Sequence, residues 1–374
     1  MFRLLHLADV HLDAPFGGFG RDADSRRAEV LDAFRAISDT AIDQSVDAVL
    51  IAGDLFDGPR PAETTVIAVR ETIRRLVERD IAVFAVPGNH DARALNPSLY
   101  ADALDGAVVF LEPRFGEPAR VACEAGDLLV YGVAYDAAEE PDPLSTFEAG
   151  RLGSPDGAHV VLLHGSVPGA PHWDGGSSLP LTWDALRSLE VDYVALGDLH
   201  RFRPPEEMEG LAACYPGSFA AVDLTEAELH GPVLVELVPR LSPTIERLSS
   251  GVREVGPSTA INVADCLTDF EVYDEAVQVL PPEMYPSIDL EGEPSYPLDP
   301  EAVRVMLEER FGAVALRDRS HFFDVHRLEE LAAGSTIAGH VVRIGLARIE
   351  GALDDAERTS LEQGLRIALR VMEV

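Results

Sequence analysis

Ala48-Val-Leu-Ile-Ala52-Gly53-Asp54-Leu-Phe-Asp57 opens as an unbroken apolar run and stops at a glycine and an acid. A short apolar run closed by turn formers predicts a strand, and one with no polar face predicts a strand covered on both sides. The same pattern recurs on either side of it. Residues 2–8 predict a strand that ends at Asp9-Val-His11, and residues 81–86 predict one that ends at Gly88-Asn89-His90-Asp91. Between them, residues 26–44 place Val30, Leu31, Phe34, Ile37, Ala41 and Ile42 at helical intervals, and residues 63–79 read as a second helix. Strand, helix, strand, helix, strand is the order of parallel strands with crossover helices, so the fold class is α/β.

Further strands are predicted at 108–111, 128–133, 160–163, 193–196 and 233–238. Two of them end in more histidine: His164-Gly165 after 160–163, and Gly197-Asp198-Leu199-His200 after 193–196. In an open α/β sheet, ligands bind beyond the carboxyl ends of the strands, so all five motifs are expected to open onto one edge. Asp, Asn and His bind divalent cations through oxygen and imidazole nitrogen. Alone, Asp-x-His reads as a structural histidine and Gly-Asp-x-x-Asp as a turn. Gly-Asn-His-Asp says more: a close backbone approach, a neutral oxygen ligand and an imidazole able to transfer a proton. Together the five read as a pair of metal ions that hydrolyse phosphate esters.

Beyond residue 240 the texture changes. Prolines at 281, 282, 286, 294, 297 and 300 mark an extended crossing, and residues 301–311 and 355–372 are helical by pattern. A boundary is expected within 240–265 and is placed after 245, giving units 1–245 and 246–374. Residues 138–155 and 167–180 read as long loops.

The composition sets bounds on function. No apolar run approaches the roughly 20 residues that cross a bilayer, and Asp9 falls where a signal peptide keeps its apolar core. The expected location is the cytoplasm, with no membrane association. Cys123, Cys214 and Cys266 lie far apart without metal or redox spacing and read as buried thiols of a reducing compartment. The chain carries 65 acidic against 30 basic residues, a formal charge of −35, and no lysine. An organism with high internal salt accounts for this, and so does an arginine-rich codon bias with acidic drift. The charge opposes polyanions, unless bound cations offset it at the reacting phosphate.

In their order and spacing, the five motifs resemble those of the calcineurin-like metallophosphoesterases. His6-Leu-Ala-Asp9-Val-His11-Leu-Asp13-Ala-Pro15-Phe16, Ile51-Ala-Gly-Asp54-Leu-Phe-Asp57 and Tyr215-Pro216-Gly217-Ser218 are similar to the SbcD-type DNA-repair nucleases, especially their YhaO-like branch. The resemblance covers about residues 1–240. It implies a four-layer α/β/β/α sandwich with a smaller C-terminal α+β region that caps the substrate or docks a partner. It also implies two divalent ions, with manganese suited to mixed imidazole and carboxylate ligation. Asp9, His11 and His200 would hold the first ion, Asp54 would bridge, and Asn89, His164 and Asp198 would hold the second. His90 would be the catalytic residue beside the scissile phosphate, protonating the leaving oxygen or stabilising the charged transition state. The implied activity is metal-dependent hydrolysis of DNA, as an exonuclease or endonuclease in repair. The implied partners are DNA, an SMC-like ATPase of the SbcC type, and a second copy of the chain.

One position departs from that pattern. The family has Gly-His-x-His where this chain has Gly197-Asp198-Leu199-His200. A carboxylate is an ordinary ligand for a hard cation, so the second site is expected to persist with altered metal preference; the alternative is a site that has decayed. Arg60, Arg93, Arg201 and Arg203 follow the motif loops, either as phosphate contacts or as partners of surface acids. His6 reads as packed, His172 and Trp173 as part of a surface loop, and His321, His326 and His340 as structural. Two other readings stay open: a phosphodiesterase or phosphatase for small phosphate esters, and a catalytically weakened DNA-end-binding subunit.

Overall fold

Successive residues of a strand point to opposite faces, so an all-apolar strand needs cover on both sides. That demand organises the first part of the computed structural model, which describes residues 1–92, 100, 102–134, 144, 147, 157–167, 179–294, 296, 298–320 and 325–372. Strands β1 (Phe2–Leu7), β2 (Ala48–Ala52), β3 (Ala82–Val86) and β4 (Val108–Val109) run parallel. A second sheet is then built from β5 (Ala119–Cys123), β6 (Gly126–Val133), β7 (Ala158–Ser166), β8 (Leu179–Pro180), β9 (Tyr193–Gly197) and β10 (Ala213–Cys214). The chain returns through β11 (Val233–Leu237) and β12 (Thr244–Arg247) to lie antiparallel beside β1. Among the described residues the orders are β12-β11-β1-β2-β3-β4 and β10-β9-β7-β6-β5, with β8 paired to β7.

The two sheets pack face to face. Phe2, Leu4, Leu50 and Phe84 of the first bury against Val130, Val160, Leu162 and Tyr193 of the second. Each such side chain contributes roughly 1.5–3 kcal/mol on leaving water. The alternate residues Leu5, Val49, Ile51 and Val83 are also buried, on the face that helices α1 (Ala23–Asp43) and α2 (Glu63–Val77) cover with Phe34, Ile37, Val69 and Ile73. On the second sheet, Val161, Leu163, Val194 and Leu196 pack with Leu186 of helix Trp183–Ser188. These are the four layers, helix, sheet, sheet, helix.

The described residues divide into two compact units, Met1–Glu254 and Val255–Val374. The break expected after 245 falls inside β12. Hydrogen bonds from Leu248 N to Pro232 O and Ser250 N to His230 O, both 2.9 Å, keep the following residues with the first unit. The second unit holds parallel strands β13 (Val255–Asn262), β14 (Tyr285–Glu291) and β15 (Ala315–Asp318), with helices Asp269–Val279 and Pro300–Phe311 as crossovers. Helices Val325–Ala333, Ile337–Glu350 and Asp355–Val371 then gather Leu328, Val342, Leu365 and Leu369. The proline-rich crossing thus contains the central strand of this sheet: Pro286 sits where the β13 register shifts, so its missing N–H breaks no regular ladder. The loops expected over 138–155 and 167–180 lie almost wholly outside the described residues. Among the described residues, no helix is long and apolar enough to cross a membrane.

Candidate metal centre

Asp9 and His11 follow β1, Asp54 and Asp57 follow β2, Asn89 and His90 open the single helical turn Asn89–Ala92 beyond β3, and Asp198 and His200 follow β9. His164 differs from the expectation. It lies inside β7, which runs on to Ser166 because Gly165 and Ser166 pair with β8. Face-to-face sheets bring these positions together from both sides of the core.

The backbone is bent sharply to deliver them. Asp9, His11 and Asp54 have φ of 50°, 49° and 50°, and Asp198 has φ of 109°. Non-glycine residues in such conformations cost roughly 1–3 kcal/mol each and persist where the surroundings over-determine them. Here Val10 N and His11 N both donate to Asp54 O, at 2.9 and 3.0 Å, and Phe219 N donates to Asp9 O at 3.1 Å. Gly53, with φ of 86°, also yields space: a Cβ there would lie 2.2 Å from His164 Nδ1.

Hydrogen bonds set the orientation of three imidazoles. His11 Nδ1 donates to Asp57 Oδ1 at 3.0 Å, His200 Nδ1 to Glu226 Oε1 at 2.7 Å, and His164 Nδ1 to the Ala52 carbonyl at 2.8 Å. Carboxylates and carbonyls only accept, so each neutral ring turns its Nε2 lone pair inward. His11 Nε2 and His200 Nε2 stand 3.1 Å apart. His164 Nε2 faces Asn89 Oδ1 at 2.9 Å, Asp54 Oδ2 at 3.4 Å and Asp198 Oδ1 at 3.6 Å. Lone pairs converging on lone pairs repel unless positive charge lies among them, as a proton or as a cation. The donor set therefore fits divalent metal.

The donors form overlapping groups. Asp9, His11 and His200 make one, Asp9, Asp54 and His164 a second, and His11, Asp57 and His90 a third. Asp54 lies between the first two, with Oδ2 4.0 Å from His11 Nε2 and 3.4 Å from His164 Nε2. Asp198 contributes twice: its backbone N donates to both oxygens of Asp9, at 3.2 and 3.0 Å, while its carboxylate faces His164.

Electrostatics point the same way. Burial pushes the Asp9 carboxyl up to about 6, against the pull of His164 and His200. Burial opposes charge on Asp54 too, yet His164, His11 and His90 hold it below the usual carboxylate range. His200 is pushed up to about 9: burial acts against the charge, but the Glu226 hydrogen bond and nearby carboxylates outweigh it. His164 is raised well above its ordinary value, against burial, by Asp54, Asp9 and Asp198. The field of this centre holds positive charge, the demand that a bound cation meets.

His90 is 43% exposed on its side chain and lies at the mouth of the centre. Its Nδ1 donates to the Asp57 carbonyl at 3.1 Å, and its ring stands edge-on to His11 at 4.8 Å between centroids. Arg60 and Arg201 are exposed, and Arg203 is half-buried with its backbone paired to Tyr215. Arg93, His172, Trp173 and His321 lie outside the described residues. His6 is buried, with Nδ1 2.9 Å from Tyr193 Oη and its pKa lowered to about 3 by burial. Cys214 and Cys266 are buried, and Cys123 is half-buried.

Sequence reasoning missed three supporting acids. Asp57 is visible in its motif but carries no task that the motif assigns. Asp91, fully buried, accepts from Leu55 N at 2.8 Å and Gly88 N at 2.7 Å, tying the second motif to the third. Glu226 carries no local signal, since it reaches His200 from 26 residues away.

Residues 2–202 match the calcineurin-like phosphoesterase family model, and the chain belongs to that family. Its members are hydrolases that work with divalent metals. Among similar proteins, the metallophosphoesterase YhaO of Bacillus subtilis is 31% identical over 252 residues, covering 62% of this chain and 57% of its own length. The DNA double-strand break repair protein Mre11 of Archaeoglobus fulgidus is 29% identical over 372 residues, covering 96% of this chain and 77% of its own. The chain thus spans little more than half the length of YhaO. A crystal structure of TT1561 from Thermus thermophilus aligns with 58% of this chain and 89% of its own, at 17% identity and a TM-score of 0.36.

Proposed function

We propose that this chain is a two-metal phosphodiesterase that hydrolyses DNA in strand-break repair, with manganese as its working ion. The observation that carries the chemistry is the convergence of inward-facing Nε2 lone pairs and buried carboxylates from both sheets. Asp9, His11 and His200 would hold one ion, Asn89, His164 and Asp198 the other, with Asp54 shared. Divalent cations bound there would polarise the phosphate and ease deprotonation of an attacking water. The residues supply the rest. Asp57 and Glu226 keep His11 and His200 aimed inward. His90, with Nδ1 committed to Asp57 O, has Nε2 left to meet the leaving oxygen.

The DNA substrate is supported by the similarity to Mre11, named as a DNA double-strand break repair protein. By its resemblance to the SbcD-type nucleases, the chain would act with an SMC-like ATPase of the SbcC type and as a homodimer. Residues 246–374 would serve docking or capping. Arg60, Arg93, Arg201 and Arg203 are the proposed backbone-phosphate contacts. Three cysteines outside any disulfide accord with a cytoplasmic setting.

The test is manganese-dependent cleavage of single- and double-stranded DNA, with His90→Ala as the control. Cleavage by the wild type and its loss in the variant is the expected result. The net charge of −35 favours a second reading, hydrolysis of small phosphate diesters. Activity on bis-p-nitrophenyl phosphate with none on DNA would select it.

A further inference from the structure

His200 is backed by an alternating chain of carboxylates and imidazoles. Its Nδ1 donates to Glu226 Oε1 at 2.7 Å, and only 19% of the Glu226 side chain is exposed. The other Glu226 oxygen accepts from Val222 N at 2.9 Å and from Ser218 Oγ at 3.3 Å. His230, 1% exposed, places Nε2 3.8 Å from that same oxygen and Nδ1 2.8 Å from Glu254 Oε2. Glu254 Oε1 accepts in turn from His230 N at 3.1 Å.

A largely buried carboxylate is costly unless paired and hydrogen-bonded, and Glu226 is engaged on both oxygens. It is therefore a fixed acceptor. A fixed acceptor behind Nδ1 keeps the proton on that nitrogen and turns the Nε2 lone pair toward His11, 3.1 Å away. A carboxylate behind a ligating imidazole fixes the tautomer, the ring orientation and the basicity of the ligand. Asp57 stands in the same relation to His11, but within a motif already recognised.

We infer that Glu226, anchored by Val222 and Ser218, is a positioning residue that aims His200 at the centre and sets the metal affinity of the Asp9–His11–His200 group. The inference rests on the two-metal reading above. His230, held by Glu254, lies beside Glu226 at 3.8 Å without a hydrogen bond to it.

The test is a Mn2+ titration of the full chain, with free ion followed by electron paramagnetic resonance, for wild type, Glu226→Ala and Glu226→Gln. Glu226→Ala is expected to weaken one of two Mn2+ affinities by about 10- to 100-fold and leave the other unchanged. Glu226→Gln keeps an acceptor without the charge and is expected to fall between; it carries the test if the alanine variant does not fold. A merely structural glutamate would lower the unfolding midpoint in chelator while leaving both affinities as in the wild type, and that result overturns the inference. A wild type that binds no Mn2+ overturns the two-metal reading as well, and the wild-type titration alone separates that failure from the first.

Discussion

Gly88 stands against Asp54: a Cβ on Gly88 would lie 2.2 Å from Asp54 Oδ1 and 2.7 Å from its backbone nitrogen. Backbone and carboxylate of Asp54 occupy the space a side chain would need. Gly88→Ala must therefore displace Asp54. Overpacking of this kind costs about 1–3 kcal/mol, and the displaced carboxylate is expected to weaken Mn2+ binding in parallel. Urea denaturation with and without Mn2+ checks both; a variant with wild-type stability and affinity would mean that the loop yields freely.

Asp91 holds the same loop from below. It accepts from Leu55 N, Phe56 N and Gly88 N at 2.8, 3.3 and 2.7 Å, fully buried. Asp91→Ala strands these donors, at about 1–3 kcal/mol for each buried group left unsatisfied. A loss of more than about 2 kcal/mol in chemical denaturation is expected, with metal binding weakened because Asp54 moves with its neighbours.

The metal-free protein is expected to lose stability as pH rises. Burial pushes Asp9 up to about 6; burial, and then the Asp54 charge, push Asp91 up to about 7; carboxylate neighbours carry His200 up to about 9 against burial. Each folded value lies above the unfolded one, so the folded state binds these protons more tightly. Their stabilisation is complete below the unfolded values and is lost as pH climbs through the folded ones. Asp54 and His6 have the opposite sign. The contribution of Asp54 disappears only in acid, as pH falls below the ordinary carboxylate range. That of His6, lowered to about 3 by burial, is lost as pH falls below the ordinary imidazole value, and it opposes part of the fall only at the acid end. Thermal melts in chelator from pH 5 to pH 9 should show a falling midpoint. Saturating Mn2+ should flatten that fall, since the cation takes the place of the protons. A chelated midpoint that rises with pH would contradict the assignment.

Asp198 carries the most strained backbone of the proposed ligands, with φ of 109°. Asp198→Gly relieves that strain and keeps the N–H bonds to Asp9 while removing the carboxylate beside His164. The metal-free protein is expected to gain about 1 kcal/mol, while the affinity for one Mn2+ falls. Asp198→His tests the alternative of a decayed second site, for which alone a sharp rise in activity is expected.

Much of the first unit was legible because its strands are uninterrupted apolar runs. β1, β2 and β3 and the helices between them fall within two or three residues of the positions expected from the pattern. β5 was not legible: Ala119, Val121 and Cys123 are only half-buried, alternating with exposed Arg120 and Ala122 at a sheet edge. β12, Thr-Ile-Glu-Arg, is another edge strand with little apolar content, and missing it put the boundary too early. β14 was hidden by Pro286 within it and by the prolines on either side; Pro286 is accommodated at a register shift.

Asp9, His11, Asp54, Asn89, His164, Asp198 and His200 were proposed as ligands, and His90 as catalytic, because their motifs follow apolar runs and resemble those of the family. What sequence could not determine is how those donors are held. The tautomers of His11, His164 and His200 depend on Asp57, Ala52 O and Glu226, and the last two pairings join residues 112 and 26 positions apart. Such partners meet only when one sheet closes over another, so their pairing is a property of packing. Residue types and their placement after apolar runs are local and were written in the chain; lone-pair direction, burial and the charge of the centre were decided by the tertiary structure.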